Sequence, residues 1–520
     1  MQLSKIPFSS TKAFSDFFLD YIHQDSRLTD LYNRFPLPEN FRDQIREKQE
    51  AFPQQNRTIL TEVLTRQYEG IANNEPVSHN IDLLREANTF TVVTGHQLNV
   101  CTGPLYFVYK IITVINACRR LKQAYPDYNF VPVYWMASED HDYDEINHFR
   151  VKGKKYTWVT NQQGAVGRFS TDGLADLAAS VPGDASIFTS AYKKARTLAD
   201  AVRLYVHELF GAEGLVVIDA DAPELKALLA PVMREDIIKG SVKNLVEKTN
   251  ALIESRGYKP QVYCRDVNFF YMDGTVRNRI EKDSSKYRVV DTAIEFDGAQ
   301  MEQLIASSPE KLSPNVILRP LYQEIILPNL AYTGGPAEVV YWLQLKAVFD
   351  AFDVPFPILL PRNFALVIER HIREKMEKAK LTAQDLFAEK EDLFKQWISK
   401  HSDHDLSIEK ESTTIAELFR SLQERAERID KTLGPHVAAM GKKTQSRLEG
   451  IGKKMLRAEK RIQKEKLGQI EAVKDALFPN GGLQERTDNL LNFYPHDDRF
   501  ISELIRHLDP FDFQFHVLTY

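Results

Sequence analysis

The chain has 520 residues, with 67 Lys and Arg against 72 Asp and Glu for a formal charge of −5. Apolar residues make up 43% and charged residues 27%, which excludes wholesale disorder, and the length suggests about three domains. Near-neutral charge excludes a protein that coats nucleic acid through bulk charge, and the three scattered cysteines (Cys101, Cys118, Cys264) exclude a disulfide scaffold.

The first 25 residues carry Lys5, Lys12, Asp16 and Asp20 among their apolar stretches, so they lack a signal-peptide core. The longest apolar runs, such as 111–117 and 131–137, fall short of the ~20 residues a membrane helix needs. A cytoplasmic protein that does not enter a membrane is the expectation. Strand candidates follow at 90–94, 131–137, 215–219, 261–264 and 356–360, and their continuous apolarity suits a parallel sheet buried on both faces. Residues 104–125 between the first two read as a crossover helix, giving a βαβ unit whose loops share one end of the sheet.

From residue 362 the pattern turns helical. Residues 362–380 read as one helix, and Thr382 with Asp385 suggests a capped restart. Ile415, Leu418, Leu422, Ile429 and Leu433 mark a long amphipathic helix that Gly434-Pro435 should end. A second pattern, Leu448, Ile451, Met455, Ala458 and Ile462, continues in shifted phase through Ile470, Val473 and Leu477. The two helices can pack as an antiparallel hairpin or coiled coil. Residues 511–517 alternate as a half-buried strand would, and can return the chain to its main body. The expected domains are 1–375, an α/β parallel-sheet core, and 376–520, a helical domain.

Three segments could carry chemistry. Thr94-Gly95-His96-Gln97, with Thr102-Gly103-Pro104-Leu105-Tyr106 and Lys110, sits where strand becomes helix. Gly95 and Gly103 would let a phosphate or carboxylate approach free backbone N–H groups, and Lys110 could meet the anion; the alternative is a structural turn. Glu139, Asp140, His141 and Asp142 follow an apolar strand, with Asp144, Glu145 and His148 beyond. Histidine beside carboxylates suits a general base, and the same oxygens could hold a divalent ion; a solvated loop is the alternative. Gly334-Gly335-Pro336 before a helix at 338–349 offers a second anion cradle, with Glu338 either binding an amine or merely stabilising the helix dipole. A basic stretch at 442–466 lacks the interleaved aromatics of a base-stacking surface, so a nucleic-acid partner is not expected. P-loop, G-x-G-x-x-G, H-E-x-x-H and C-x-x-C patterns are absent.

Taken in order, these segments resemble the BshC family, the cysteine ligases of bacillithiol biosynthesis. The matching pieces are the Gly95-His96-Gln97 to Lys110 stretch and the 133–142 stretch with Trp135 and Glu-Asp-His-Asp. Leu318-Arg319-Pro320 with Tyr332-Thr333-Gly334-Gly335-Pro336-Ala337-Glu338, and Gly482-Leu483-Gln484-Glu485-Arg486, complete the set. The resemblance implies a Rossmann-like core with inserted connecting segments, a C-terminal coiled coil and a homodimer. It implies a ligase joining cysteine to glucosaminyl-malate through an amide bond, with ATP as the candidate activator and any metal left open. In that reading His141, with Asp140 or Asp142 and beside Glu139, would accept the amine's proton, and Lys110 would steady negative charge. Gly95, His96, Thr102, Gly103, Gly334, Gly335 and Glu338 would contact ligand, and Gln97, Tyr106 and Trp135 would position substrate.

Overall fold

Strands apolar on both faces must be covered on both faces, and five of them form one parallel sheet. The computed structural model describes residues 1–496 and 499–520. In it β1 (Thr89–His96), β2 (Asn129–Met136), β3 (Val216–Asp219), β4 (Asn329–Gly334) and β5 (Ile358–Pro361) lie in the order β5-β4-β1-β2-β3. Every pairing is parallel, with Gly95 opposite Trp135 and Thr94 opposite Thr333. The order reverses between β1 and β4, and such a switch point opens a crevice at the carboxyl ends of the strands.

The crossover helix α1 (Tyr106–Ala124) is buried on almost every side, including Lys110, Thr113 and Asn116. Its Val114, Ala117, Cys118 and Leu121 share one core with Phe90, Val92, Leu330, Ala331, Ile358 and Leu360. The Val, Leu, Ile and Phe side chains among them each contribute about 1.5–3 kcal/mol by leaving water. The helix starts two residues after Pro104, because Cys101, Thr102 and Gly103 all take positive φ (50°, 71° and 60°) before it.

Several sequence expectations change, among them the single helix expected at 362–380, which is a strand (Phe364–Ile368) followed by a helix (Arg370–Lys378). Residues 261–264 form no strand: the N–H groups of Gln261 and Val262 donate to Gln344 Oε1 (2.7 and 3.2 Å), so side-chain amide replaces a neighbouring strand. β4 was unforeseen, since Asn329, Tyr332 and Thr333 interrupt its apolar run and Gly-Gly-Pro ends it. The helix α2 (Arg319–Ile326) precedes β4, and α3 (Pro336–Leu343) follows it. The helix expected at 338–349 is divided, with a second piece at Lys346–Ala351 and the fully buried Gln344 in the break. Between β3 and β4 an antiparallel sheet is inserted, ordered Glu295–Asp297, Lys286–Val289, Val276–Asp283, Phe269–Asp273 and Leu312–Pro314.

The chain divides into two compact units. The first holds Met1–Ser9, Ala13–Leu366 and Gly482–Leu518; the second holds Ser10–Lys12, Val367–Gly481 and Thr519–Tyr520. In the first, the strand Gln514–Thr519 near the C-terminus pairs with Gln2–Pro7. In the second, α4 (Glu409–Ile429) and α5 (Leu433–Ile462) pack together, followed by α6 (Lys464–Leu477). Gly434-Pro435 opens α5 rather than closing α4, as proline's missing N–H costs nothing in a first turn. Thr382 and Asp385 do exchange capping bonds, Thr382 N–H to Asp385 Oδ2 at 2.8 Å and Asp385 N–H to Thr382 Oγ1 at 3.3 Å. No helix among the described residues is long and apolar enough to cross a membrane.

A fully buried ion pair lies inside the first unit: Lys48 Nζ is 3.0 Å from Glu324 Oε2, with both side chains at most 1% exposed. Burial raises the pKa of Glu324 against the pull of Lys48 and bonds from Asn329 and Gln323. Replacing Lys48 with Met strands a buried carboxylate and should cost about 3–5 kcal/mol at pH 8. A raised folded pKa means the penalty grows as pH rises, so urea unfolding should show a smaller deficit near pH 5 than at pH 8.

Candidate active site

A cavity of about 680 Å³ opens at the switch point. The ends of β1 and β2 supply Gly95, His96, Gln97, Trp135 and the run Ser138 to His141; α1 supplies Tyr106 and Lys110. Gly335 and Glu338 come from the start of α3, and Arg319 from the start of α2. The inserted sheet faces them with Phe270, Arg277 and Arg279, and Arg362 and Arg486 complete the wall.

Eleven of the fifteen residues singled out from sequence therefore line one cavity: Gly95, His96, Gln97, Tyr106, Lys110, Trp135, Glu139, Asp140, His141, Gly335 and Glu338. Thr102, Gly103, Asp142 and Gly334 do not. A Cβ on Gly103 would stand 2.5 Å from the Asn99 side chain, and Asn489 Nδ2 donates to the carbonyls of Cys101 (2.7 Å) and Gly103 (2.6 Å). Glycine is needed there for packing and a left-handed turn, not for a ligand. A Cβ on Gly334 would meet Glu338 Cβ at 2.9 Å, again a packing demand. Asp142 caps the short helix Tyr143–Ile146 through Glu145 N–H at 3.4 Å.

The anion at the start of α3 is the protein's own. Glu338 Oε2 accepts from Gly335 N–H (2.8 Å) and pairs with Lys110 Nζ (2.6 Å), while Oε1 accepts from Tyr332 (2.7 Å). Burial would raise its pKa, but Lys110 and these bonds lower it from 4.5 to about 2. Lys110 also donates to Gly95 C=O at 2.8 Å, so its charge is neutralised rather than open to a ligand. Burial and the Lys110 charge push His96 down to about 3, leaving a neutral ring whose Nε2 accepts from Asn99 Nδ2 at 3.1 Å.

Asp140 accepts from His141 N–H (2.7 Å) and Gln97 Nε2 (3.0 Å); although burial works the other way, the His141 side chain, Gln97, the Arg277 charge and the His141 N–H hold it well below the usual carboxylate range. Glu139 pairs with the fully buried Lys226 at 2.6 Å and accepts from Ser313 Oγ at 2.7 Å. Both carboxylates are thus committed to protein partners. Among the described residues, no three His, Cys, Asp or Glu side chains are grouped to hold a metal ion.

The cations left over are arginines. Arg319 donates to Gln323 Oε1 (3.2 Å) and Tyr341 OH (3.4 Å), and its guanidinium lies 5.5–5.9 Å from the ring centroids of Trp135, Tyr332 and Trp342. No carboxylate lies within ion-pair distance of it among the described residues. Arg362 is 3% exposed and pairs with Glu485 at 2.5 Å, yet its Nε is buried without a partner.

Two family models cover the chain: "Bacillithiol biosynthesis BshC, N-terminal Rossmann-like domain" over residues 1–363, and "Bacillithiol biosynthesis BshC, C-terminal coiled-coil domain" over 365–520. The chain belongs to the BshC family. It is 40% identical to a protein of Flavobacterium psychrophilum and 40% identical to one of Flavobacterium johnsoniae, over 99% of both chains in each comparison. It is 39% identical to one of Cytophaga hutchinsonii over 100% of this chain and 99% of the relative. Each relative is named "Putative cysteine ligase BshC".

Within this BshC chain the arginines are what reading by motif missed. Arg319 and Arg486 stand inside segments that signal the family, but their neighbours drew the attention. Arg277 and Arg362 have no local signal, because strand pairing and a residue more than 120 positions away bring them to the cavity.

The Glu338 carboxylate offers a direct check. A lowered folded pKa contributes stability above the ordinary pKa and loses it as pH falls from 4.5 towards about 2. Glu338→Gln should destabilise the protein by on the order of 3 kcal/mol at pH 7. In urea titrations the gap from the unchanged protein should close across that acid window.

Proposed function

We propose that the protein is a cysteine ligase of bacillithiol biosynthesis, joining the carboxyl group of cysteine to the amine of glucosaminyl-malate. A carboxylate does not acylate an amine unaided, so one oxygen must first become a leaving group, and ATP is the activator in this reading. The amine nitrogen then bonds to the acyl carbon, the C–O bond to the activated oxygen breaks with its electron pair, and the original ammonium loses two protons overall.

The observation that carries the proposal is Arg319, a cation at the carboxyl edge of the sheet with aromatic faces around it and no carboxylate at ion-pair distance among the described residues. A guanidinium so placed suits a carboxylate or phosphoryl group, which it can grip with two parallel bonds. The unpartnered Arg362 Nε adds a second donor for negative charge. Low-dielectric, fixed donors of this kind stabilise charge that develops during acyl or phosphoryl transfer. The Trp135 ring lies 5.9 Å from the Arg319 guanidinium, and the Tyr106 ring 5.2 Å from that of Arg362.

Incubation with cysteine, glucosaminyl-malate and ATP should give bacillithiol by mass spectrometry, with release of AMP or ADP identifying the bond broken in the nucleotide. Arg319→Met should lower kcat/KM by about 10–100-fold, the range for losing a hydrogen bond to a charged group. Arg319→Lys should fall between. Absence of product with every nucleotide tried would overturn the reading.

A further inference from the structure

His141 stands beside carboxylates, as a general base would, but its nearest partner is a cation. Arg277 Nη1 lies 2.6 Å from His141 Nδ1, whereas Asp140 Oδ1 is 3.5 Å away. Guanidinium offers donors only and keeps its charge at any pH a protein survives. A proton on Nδ1 would face an Arg277 N–H at that distance, and two donors cannot share one contact. Nδ1 therefore accepts, and a neutral imidazole that accepts at Nδ1 carries its proton on Nε2.

We propose that His141 serves the cavity as a neutral hydrogen-bond donor through Nε2, not as a base, with Arg277 as the positioning residue that fixes this tautomer. Nε2 in this form has no lone pair to receive a proton. Taking one at Nδ1 would require breaking the bond from Arg277.

The geometry around Arg277 makes that bond hard to break. It sits on the strand Val276–Asp283, opposite Met272 in register, and is 9% exposed. Its guanidinium lies 4.2 Å from the Phe270 centroid, and Nη2 donates to Ser313 Oγ at 3.3 Å. Asp140, 3.9 Å from Nη1, balances the cation without needing a protonated histidine. The His141 ring is half-exposed and lines the cavity, with no protein acceptor given to Nε2 among the described residues. An oxygen that gains negative charge, carbonyl or phosphoryl, is the partner such a donor suits. That assignment of the oxygen rests on the acyl-transfer reading above; the tautomer does not.

Two measurements separate the ideas. Long-range ¹H–¹⁵N spectra of histidine-labelled full-length protein, assigned by the signals lost in His141→Gln, should show Nε2 protonated and Nδ1 bare. Nδ1 protonated at neutral pH would overturn the inference, whatever the enzyme makes. In the ligase assay His141→Ala should lose about 10²–10³-fold in kcat, as for removal of one oxyanion donor. Glutamine carries an N–H close to the place of Nε2 and cannot act as a base, so His141→Gln should recover at least tenfold over His141→Ala. Equal loss in the two variants, with both folded by circular dichroism, would overturn the donor role. Arg277→Met should lower kcat more than it raises KM and change the His141 nitrogen shifts, with Arg277→Lys restoring part of each. Unchanged shifts in Arg277→Met would remove Arg277 from the proposal. If no amide forms under any condition, the proposed function fails while the nitrogen spectrum still decides the tautomer.

Discussion

Lys110 and Glu338 meet at 2.6 Å where the order of the sheet reverses, and the cavity depends on that contact. Lys110, on α1, also donates to the Gly95 carbonyl near the end of β1; Glu338, on α3, also accepts from the N–H of Gly335, the residue just before that helix. The pair thus links the two helices that flank the crevice. It also removes two groups from the reckoning of free charge: a lysine that could have met a ligand and a helix start that could have cradled one. Burying either partner alone would cost several kcal/mol, so neither can be lost without the other.

With that pair internally neutral, positive potential in the cavity falls to arginines brought from distant parts of the chain. Glu485 and Arg486 arrive on the returning segment: Glu485 orients Arg362, and Arg486 joins the wall. Three residues on, Asn489 clamps the left-handed turn before α1, and Asp488 accepts from Leu105 N–H at 2.7 Å. One short segment therefore sets both an arginine and the entry to the helix carrying Tyr106 and Lys110. Arg319 is oriented from the opposite side, since Gln323 binds it and is itself bound by Glu324, the partner of buried Lys48.

What could be read from the chain alone follows the locality of each signal. Four of the five sheet strands announce themselves through unbroken apolar runs, and Glu-Asp-His-Asp marks the carboxyl end of β2 because charge following such a run can only lie at the sheet's edge. β4 is hidden because polar side chains in it find tertiary partners: Asn329 donates to Glu324, and Tyr332 donates to Glu338. The apolar 261–264 stretch misleads for the converse reason, its N–H groups being taken by Gln344. Gly103 looks like a ligand contact but answers to Asn99. Arg277 cannot be placed by any local pattern, since only the register of an inserted antiparallel sheet carries it to His141.

The two histidines of the cavity show what this charge arrangement does. Each has a cation beside it, Lys110 near His96 and Arg277 against His141, and each is held by a donor on a different nitrogen. Asn99 leaves His96 protonated on Nδ1, while Arg277 leaves His141 protonated on Nε2, so the rings present opposite faces of the same chemistry. The carboxylates nearest them, Glu338 and Asp140, are held below their ordinary range. The cations in contact are guanidinium groups, which do not titrate near neutrality, and one lysine already paired. The exception stands behind the wall: burial and the charge of Glu139 push Asp221 up to about 7, although Lys226 and Arg168 draw it down. A site built this way pairs its own carboxylates with its own cations and leaves the arginines to meet the charge that a substrate brings.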